Sequence, residues 1–485
     1  MRTENSIPMP DPNRDPWRPQ FHLSAPVGLI NDPNGLIHWK EAHHIFFQWN
    51  PLGCTHENKC WGHARSADLV NWEFLPLALA PTERFDSHGC YSGSAVADGD
   101  ELVLVYTGNV RNGLGERETH QCLARSGDGI RFDKRGPVIT GPSPGYTTHF
   151  RDPKVWRDET GWWMVLGVQT TDLAGTVLLL RSPDLLGWSV VGPILAAGQH
   201  GYMCECPDLF RIGGSDALIF CEQHHGHGDG GSGFSPNVAG VVIGRIDLDT
   251  GRFDHGLFHP LDHGRDFYAP QSWLAPDGRR LLIGWMGLPE QTAAPTVDAG
   301  WMHCLTIPRE LVLAGDRLHQ RPARELAALR GEERSLEGLA VAGKRWIDGL
   351  EATACEIRLD LAPEETGDLA LVLRAAAGEP VILAFRRDTG EIRLHGPGID
   401  GRISLLGLAL ASRPVETVTV FVDRSSIEVF IDGGDIVLSA RTYPHPSPTR
   451  IGLRSEQGAR VLRLTHWPLG ESFSHEKQTC RAEQR

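Results

Sequence analysis

The hexapeptide INDPNG, residues 30–35, places a carboxylate and a proline directly before the strand-like run LIHW at 36–39. An isolated Asp-Pro-Asn-Gly is most simply a turn. A similar mark returns at gaps of 60, 60, 55 and 62 residues, so this stretch opens a series. Its five members are Asp32-Pro33, Ser92-Gly93, Asp152-Pro153, Pro207-Asp208 and Ala269-Pro270. Such regular spacing predicts five copies of one supersecondary unit.

A second series indicates what that unit is. Small polar turns followed by an aromatic residue end at Trp72, Phe132, Trp188 and Phe253. Between the marks lie short runs rich in β-branched and aromatic residues, such as ELVLVYTG and RRLLIGWM. Four short strands with their turns need roughly 50 to 60 residues. The sequence therefore predicts an all-β protein that begins with a five-bladed β-propeller over residues 20–310.

The pattern changes after the propeller. Residues 345–470 alternate apolar and polar side chains in many short runs, as in VTVFVDRSSIEVFIDGG, which is typical of an antiparallel β-sandwich. Residues 311–344 are predicted to be a linker that includes a short helix. Residues 1–19 are predicted to be an N-terminal extension, and residues 471–485 a frayed tail.

Composition narrows the range of functions. With 61 acidic against 47 basic side chains, the chain has a net charge of −14. This balance indicates neither nucleic acid nor an anionic membrane as a partner, and it favours a small neutral substrate. No run of residues is apolar enough for a membrane helix or a secretory signal. We therefore expect a cytoplasmic protein, with its ten cysteines reduced; monomer and homo-oligomer both remain open.

The repeat also brings carboxylates together. The innermost strands of a propeller line one central channel, so equivalent positions of different blades converge at its mouth. Asp32, Asp152 and Glu205 would then share a pocket. Carboxylates held close together push their proton affinities apart, which is the arrangement that acid and base chemistry needs.

Other motifs do not indicate a nucleotide or metal site. The glycines 226, 228 and 231 fit a nucleotide-binding pattern, but no helix follows them. The histidines 224, 225 and 227 with Cys221 fit no standard zinc spacing. Cys204 and Cys206 flank Glu205, and on a strand they would point away from it as packing residues. Asp423 and Arg424 are predicted to anchor a sandwich hairpin. We expect neither a metal nor a cofactor.

Nine motifs in order resemble family 32 of the glycoside hydrolases, the invertases, sucrose-phosphate hydrolases and fructan hydrolases. They are RPQFHLSAPVGLINDPNG, FFQWNP, WGHARSADLVNWEFLP, YSGSAV, FRDPKVW, ECPDLF, FYAPQSW, GWMGLPE and VFVDRSSIEVFIDGG. The resemblance covers nearly the whole chain, from about Arg18 to Leu469. The resemblance implies a five-bladed propeller followed by a β-sandwich. It also implies a retaining β-fructofuranosidase that acts on sucrose, sucrose 6-phosphate or short fructo-oligosaccharides.

The resemblance assigns residue roles as well. Asp32 corresponds to the nucleophile, Glu205 to the general acid and base, and Asp152 to a stabiliser of the fructosyl group. A retaining glycosidase needs such a pair of carboxyl groups, one ionised and one protonated. Further positions of the family bind the fructosyl unit or form aromatic walls, and in this chain they are Asn31, Gln48, Tyr91, Ser92, Arg151 and Trp285.

Two departures from the family pattern concern the leaving-group side. Family members commonly carry tryptophan at the position of Leu29, and many carry Trp-Gly at His56-Glu57. The preferred leaving group and linkage therefore stay open, with a fructan exo-hydrolase or a fructosyltransferase as enzymatic alternatives. A non-enzymatic alternative is a carbohydrate-binding module with a degenerate propeller.

Overall fold

A computed structural model describes residues 15–224, 235–362, 367–374, 379–445 and 449–473. These ranges hold 33 strands and three short 3₁₀ helices but no α-helix. None of the helices described is long and apolar enough to cross a membrane. The predicted all-β fold is confirmed. The 3₁₀ helices are Arg84–Asp86, Pro295–Ala299 and Arg324–Leu329.

Five antiparallel sheets form the predicted blades, and in each the chain begins at the central channel and moves outward. The first blade holds β1 (Gly28–Trp39), β2 (Ala42–Asn50), β3 (Cys60–Ser66) and β4 (Glu73–Leu79). The second holds β5 (Cys90–Asp98), β6 (Glu101–Arg111), β7 (Arg117–Ser126) and β8 (Asp133–Thr140). The third holds β9 (Tyr146–Asp158), β10 (Gly161–Thr170), β11 (Gly175–Ser182) and β12 (Ser189–Pro193).

The last two blades carry short additional strands. The fourth holds β13 (Met203–Ile212), β14 (Ser215–Gln223), β15 (Val238–Asp247), β16 (Arg252–His255) and β17 (His259–Pro260). The fifth begins with β18 (Tyr268–Leu274), β19 (Arg280–Met286) and β21 (Cys304–Leu305). Between β19 and β21 the chain forms β20 (Trp301–Met302), which belongs to the sheet of the first blade. The fifth blade ends with β22 (Arg309–Ala314) and β23 (Arg317–Pro322).

Hydrogen bonds close the ring of blades. The five innermost strands, β1, β5, β9, β13 and β18, contact one another in that order, and β18 contacts β1. Although β20 follows the fifth blade's second strand, it pairs in parallel with Gly28 and Leu29 of the first blade. Because Gly28 N also donates to Gly300 O at 2.7 Å, the end of the propeller is fastened to its beginning.

Each innermost strand has an irregularity at the position of the sequence repeat. Register shifts fall between Ile30 and Pro33 in β1, Tyr91 and Gly93 in β5, and Glu205 and Asp208 in β13. β9 and β18 have theirs around Asp152 and Ala269, which both take a positive φ. Bulges of this kind re-aim side chains and leave one residue unpaired, a place where proline costs no ladder hydrogen bond. The repeat in the sequence is therefore a repeat of bulges.

Residues two positions after each bulge fill the channel with polar side chains, and all five are buried: Asn34, Ser94, Lys154, Asp208 and Gln271. Lys154 Nζ binds Asp208 Oδ2 at 3.1 Å and Gln271 Oε1 at 3.1 Å. Ser94 Oγ donates to Pro153 O at 2.8 Å. These bonds offset the desolvation of the polar groups and join different blades.

The second domain is the predicted β-sandwich, built on one continuous sheet of ten strands that wraps around a single apolar core. Its first five strands are β24 (Arg334–Glu351), β25 (Cys355–Leu361), β26 (Leu369–Leu373), β27 (Val381–Phe385) and β28 (Glu391–Pro397). The others are β29 (Ile403–Leu410), β30 (Thr417–Val422), β31 (Ser426–Ile431), β32 (Ile436–Arg441) and β33 (Arg450–Pro468). The long β33 pairs with β24, β25 and β26 and so links the two layers.

The domain boundaries differ from those predicted at the linker. Residues 311–344 contain the outer strands β22 and β23 of the fifth blade and the first half of β24. Only the stretch between them, with the 3₁₀ helix Arg324–Leu329, connects the domains. Blade strands and sandwich strands share the same alternating pattern, so the sequence pattern did not distinguish them from each other at the domain boundary. At the chain ends, residues 1–14 and 474–485 lie outside the described residues, whereas Phe473, placed in the predicted frayed tail, is buried.

A propeller segment completes the sandwich. The ten-stranded sheet ends at β29 and β32, and residues 263–266 hydrogen-bond to both of these strands. His263 N donates to Val437 O at 2.8 Å and Arg265 N to Leu406 O at 2.7 Å. The segment lies so close that a Cβ on Gly264 would come within 2.0 Å of Ser439 O. The edges of the second domain are thus covered by the first.

Buried charges also join the domains. His22 Nδ1 contacts Asp423 Oδ2 and His22 Nε2 contacts Glu428 Oε1, each at 2.9 Å. Glu428 in turn binds Arg309, which reaches Asp262 Oδ2 at 3.1 Å. Asp423 also accepts the backbone N–H groups of residues 20–22. Asp423 therefore anchors the N-terminal segment as well as its own hairpin, which goes beyond the prediction.

We expect His22→Gln to destabilise the protein more at pH 6 than at pH 9.5. Burial lowers the pKa of His22, but hydrogen bonds and charges of Asp423 and Glu428 prevail and raise it to about 9. Since the ordinary value is 6.5, the stabilisation is complete below pH 6.5 and is lost as the pH rises towards 9. Its full size is on the order of a few kcal/mol.

Thermal unfolding of the wild type and the variant across this pH range measures the effect. His88→Gln, a change of the same type at an exposed histidine, serves as the control. A difference in unfolding temperature that does not change with pH would contradict the prediction.

Candidate functional site

Two consecutive residues of each innermost strand meet at the mouth of the channel. Side chains of a regular strand alternate between faces, but a bulge lets neighbours point the same way. The first set is Asn31, Tyr91, Arg151, Glu205 and Tyr268, and the second is Asp32, Ser92, Asp152, Cys206 and Ala269. In the fourth blade the equivalent dipeptide is Cys206-Pro207, so the predicted pair Pro207-Asp208 was one residue out of register.

Asp32 is held by hydrogen bonds to both carboxylate oxygens. Asn31 Nδ2 donates to Oδ1 at 3.0 Å, and the hydroxyl of Ser92 donates to Oδ2. Gln48 links these two donors, because it accepts from Asn31 at 2.8 Å and donates to Ser92 at 2.7 Å. Burial raises the pKa of Asp32 and the Glu205 charge adds to the rise, whereas the Ser92 hydrogen bond and the Lys59 charge oppose it.

Lys59 provides a buried positive charge beside Asp32. Its ammonium group donates to Asn31 Oδ1 and contacts His56 Nδ1 at 3.1 Å. Burial lowers the pKa of Lys59 to about 8, although the Asp32 charge works against the shift. Through Asn31, Lys59 fixes the amide that binds the carboxylate of Asp32.

Asp152 lies at the bulge of the third blade with a φ of 65°. Thr107 Oγ1 accepts its backbone N–H at 3.0 Å, and its Oδ2 accepts from Cys206 N at 3.1 Å. Burial raises the pKa of Asp152 to about 7, Arg151 opposes the rise, and the charges of Glu205 and Asp32 add to it. Burial and the two neighbouring carboxylates therefore favour the protonated form of Asp152.

Both carboxylate oxygens of Glu205 accept hydrogen bonds. Arg151 donates to Oε1 through Nε at 3.2 Å and through Nη2 at 2.7 Å. Tyr268 Oη donates to Oε2 at 2.8 Å. Both oxygens thus have a fixed orientation in the pocket. With Lys59 and Arg151 against three carboxyl groups, full ionisation would leave one uncompensated negative charge.

The predicted aromatic walls differ in how they meet the site. Trp285 pairs in register with Tyr268, with ring centroids 6.4 Å apart, and it is 1% exposed. Tyr91 is half-buried at the mouth, where Arg117 lies 5.9 Å from its ring. No hydrogen bond joins the Tyr91 side chain to the three carboxylates among the described residues.

The two departures from the family pattern have separate environments. The His56 ring lies 5.8 Å from that of Trp285 and next to Lys59, so it does line the site. Leu29 is fully buried and packs with Met302 and with Tyr443 of the sandwich. Leu29 is therefore a core residue here, not a rim residue as expected.

Three residues at the site were missed or misread from the sequence. Tyr268 stands one position before Ala269-Pro270, as Asn31 stands before Asp32-Pro33, and this spacing could have revealed it. Cys206 was predicted to point away from Glu205 as a packing residue, but the bulge brings its thiol to 3.8 Å from both Asp32 Oδ2 and Asp152 Oδ2. Lys59 precedes β3, and no pattern signals it.

The remaining motifs lie partly outside the described residues. Cys204 is buried among apolar residues, as predicted. Residues 225–234, with glycines 226, 228 and 231 and histidines 225 and 227, lie outside the described residues. His224 contacts Glu222 Oε2 at 3.2 Å. In the described ranges, no group of three or more His, Cys, Asp or Glu residues is placed to hold a metal ion.

Comparison with known proteins shows the family to which the chain belongs. Residues 22–322 match the model of the glycosyl hydrolases family 32 N-terminal domain, and residues 325–468 match that of its C-terminal domain. A sucrose-6-phosphate hydrolase of Bacillus subtilis is 43% identical over 470 residues, which cover 95% of this chain and 96% of the relative. A raffinose invertase of Escherichia coli is 38% identical over 458 residues, 92% of this chain and 94% of the relative.

A solved structure agrees in fold over the same length. The β-fructofuranosidase of Bombyx mori, an aspartate-to-alanine mutant in complex with sucrose, superimposes with a TM-score of 0.82 at 30% identity. The match covers 96% of each chain.

We expect the thiols around the carboxylates to resist alkylation in the folded protein. Burial raises the pKa of Cys206 far above its ordinary value, and the charges of Asp152 and Asp32 add to the rise. Iodoacetamide at pH 7.5 should therefore label the half-buried Cys54 well before Cys204 or Cys206. Mass spectrometry of digested protein gives the labelling order, and denatured protein is the control. Labelling of Cys206 as fast as Cys54 would contradict this electrostatic description.

Proposed function

Since the chain belongs to glycoside hydrolase family 32, we propose that it hydrolyses sucrose 6-phosphate and sucrose through a covalent fructosyl-enzyme intermediate. The chain is a glycosidase that acts on fructosides. Membership of this family therefore excludes the alternative of a non-enzymatic binding module. The observation that carries the proposal is the convergence of Asp32, Asp152 and Glu205, each with its own set of hydrogen-bond donors.

We assign the nucleophile to Asp32. Asn31 and Ser92 each donate to a different oxygen of this carboxylate, so the orientation of the carboxylate group is fixed. A nucleophile must be ionised, and the nearby Lys59 charge favours that form. A proton on Asp152 would also lower the repulsion that Asp32 experiences.

We assign the general acid and base to Glu205. Its proton passes to the leaving oxygen as Asp32 bonds to the anomeric carbon, and Glu205 then accepts a proton from the water that hydrolyses the ester. Arg151 and Tyr268 fix the orientation of the carboxyl group for both steps. Asp152 supports the proposed fructosyl contacts with Oδ1, which has no hydrogen-bond partner in the described part of the chain.

The relatives support the choice of substrate, because the Bacillus subtilis protein is named for sucrose 6-phosphate and the Bombyx mori structure contains sucrose. Arg117 at the mouth, 5.9 Å from the Tyr91 ring, suits a leaving group with a negative charge. A sugar phosphate is charged and does not cross membranes, so this preference fits the proposed cytoplasmic location.

The first test is product release from sucrose 6-phosphate and sucrose by the purified protein. We expect hydrolysis of both, with the higher kcat/KM for the phosphate. Asp32→Asn should lower kcat by roughly three orders of magnitude or more because it removes the nucleophile, whereas Asp172→Asn at an exposed loop should not. Full activity in Asp32→Asn would contradict the assignment. Product analysis at high sucrose concentration distinguishes hydrolysis from the alternative, fructosyl transfer, which would give oligosaccharide products.

We also expect Lys59→Met to move the acid limb of the pH profile. The Lys59 charge holds the pKa of Asp32 down, so its removal raises that pKa, and more Asp32 is protonated at a given acidic pH. The acid limb of kcat/KM should therefore shift to higher pH. His56→Gln, which alters the other partner of the ammonium group, is the control. An acid limb at an unchanged pH in Lys59→Met would contradict the assigned role.

A further inference from the structure

A sandwich arginine reaches the propeller beside the site. Arg441 is the last residue of β32 and is 2% exposed. Its guanidinium contacts three propeller residues: Asp266, Gln291 and His303. The interface arginine thus joins two different elements that border the catalytic pocket.

The first of these elements leads to Glu205. Arg441 Nη2 binds Asp266 Oδ1 at 2.8 Å, and Arg441 N donates to Asp266 Oδ2 at 2.9 Å. Asp266 is fully buried and lies only two residues before Tyr268, the donor to Glu205. Asp266 N also donates to Ser439 O at 3.1 Å. The start of β18 is therefore fixed to the sandwich on both its backbone and its side chain.

The second element leads to Trp285. Arg441 Nη1 contacts Nδ1 of His303, a residue with a φ of 73°. The His303 ring stands at 89° to the ring of Trp285, with centroids 5.1 Å apart. Trp285 is in turn the register partner of Tyr268. Both contacts of Arg441 therefore end at one corner of the site, the corner of the proposed acid.

We propose that Arg441 of the sandwich is a positioning residue for general acid catalysis, acting through Asp266 on Tyr268 and through His303 on Trp285. This inference rests on the proposed function. When Arg441 is lost, the Tyr268 hydroxyl loses its fixed distance to Glu205, and the carboxyl group of Glu205 is then held by Arg151 alone. Since a small misplacement of a catalytic group is costly, the step that protonates the leaving oxygen should suffer most.

The test compares a substrate that needs an acid with one that does not. The glucosyl oxygen of sucrose must be protonated as it leaves, whereas the phenolate of 4-nitrophenyl β-D-fructofuranoside leaves without help. We compare kcat/KM because it reports the steps up to the covalent intermediate. In Arg441→Gln and Arg441→Lys, we expect kcat/KM for sucrose to fall about tenfold or more, and that for the aryl fructoside to change by less than about threefold.

The matched control is Arg330→Gln. Arg330 pairs with Glu356 of the sandwich at 2.6 Å and has no contact with Asp266 or His303. A purely structural loss lowers the amount of folded enzyme and therefore affects both substrates equally. We expect that result, at most, for the control. Equal loss on both substrates in the Arg441 variants would overturn the inference.

Two further outcomes have defined meanings. If neither Arg441 variant folds, the ratio of the two kcat/KM values in Asp266→Asn decides in the same way, because this change breaks the same ion pair. If the wild type cleaves neither substrate, the proposed function itself is wrong. An active wild type with an unchanged ratio in all variants rejects only the role of Arg441.

Discussion

Five strands meet at one axis, and each must turn consecutive side chains towards it. A regular strand cannot do this because its side chains alternate. The bulge at every X-Pro or Ser-Gly dipeptide solves the problem and fixes three layers of residues at once: two at the mouth and one in the channel. The chemistry of the pocket depends on this geometry. Asp32, Asp152 and Glu205 lie far apart in the chain, and only the equivalence of the blades brings them together.

The second domain is part of the same construction. Its sheet would end in two open edges at β29 and β32, but residues 263–266 of the propeller pair with both. These residues run directly into β18 and Tyr268. A buried line of charge from His22 through Glu428 and Arg309 to Asp262 fastens the same interface. Such buried pairs need every partner, since a lone buried charge is strongly destabilising.

Much of this was predictable from the sequence. The five-fold spacing gave the propeller, the alternation gave the sandwich, and the motifs gave the carboxylates with their partners Asn31, Gln48, Ser92 and Arg151. What failed depended on local geometry. The register predicted for the fourth blade was one residue off, because the bulge residue there is Cys206 and Pro207 follows it. For the same reason the Cys206 thiol was predicted to lie on the wrong face of the strand. Lys59, Asp266 and Arg441 come from separate elements, and only the folded chain shows their contacts. The linker was misplaced because outer blade strands and sandwich strands have the same period.

The contact between His22 and Asp423 spans 401 residues of chain. Ribosomes add roughly 5 to 20 residues per second, so the N-terminal segment waits about 20 to 80 seconds for its partner. For the last 101 of those residues, from Pro322 to Asp423, the strands of all five blades have been made. His22 and the backbone groups of residues 20–22 then still have no carboxylate to bind, and residues 263–266 do not yet have both strand edges to pair with. Synthesis therefore leaves this polar surface unpaired for about 5 to 20 seconds after the last blade has been made, and residues 423–441 decide when it is covered.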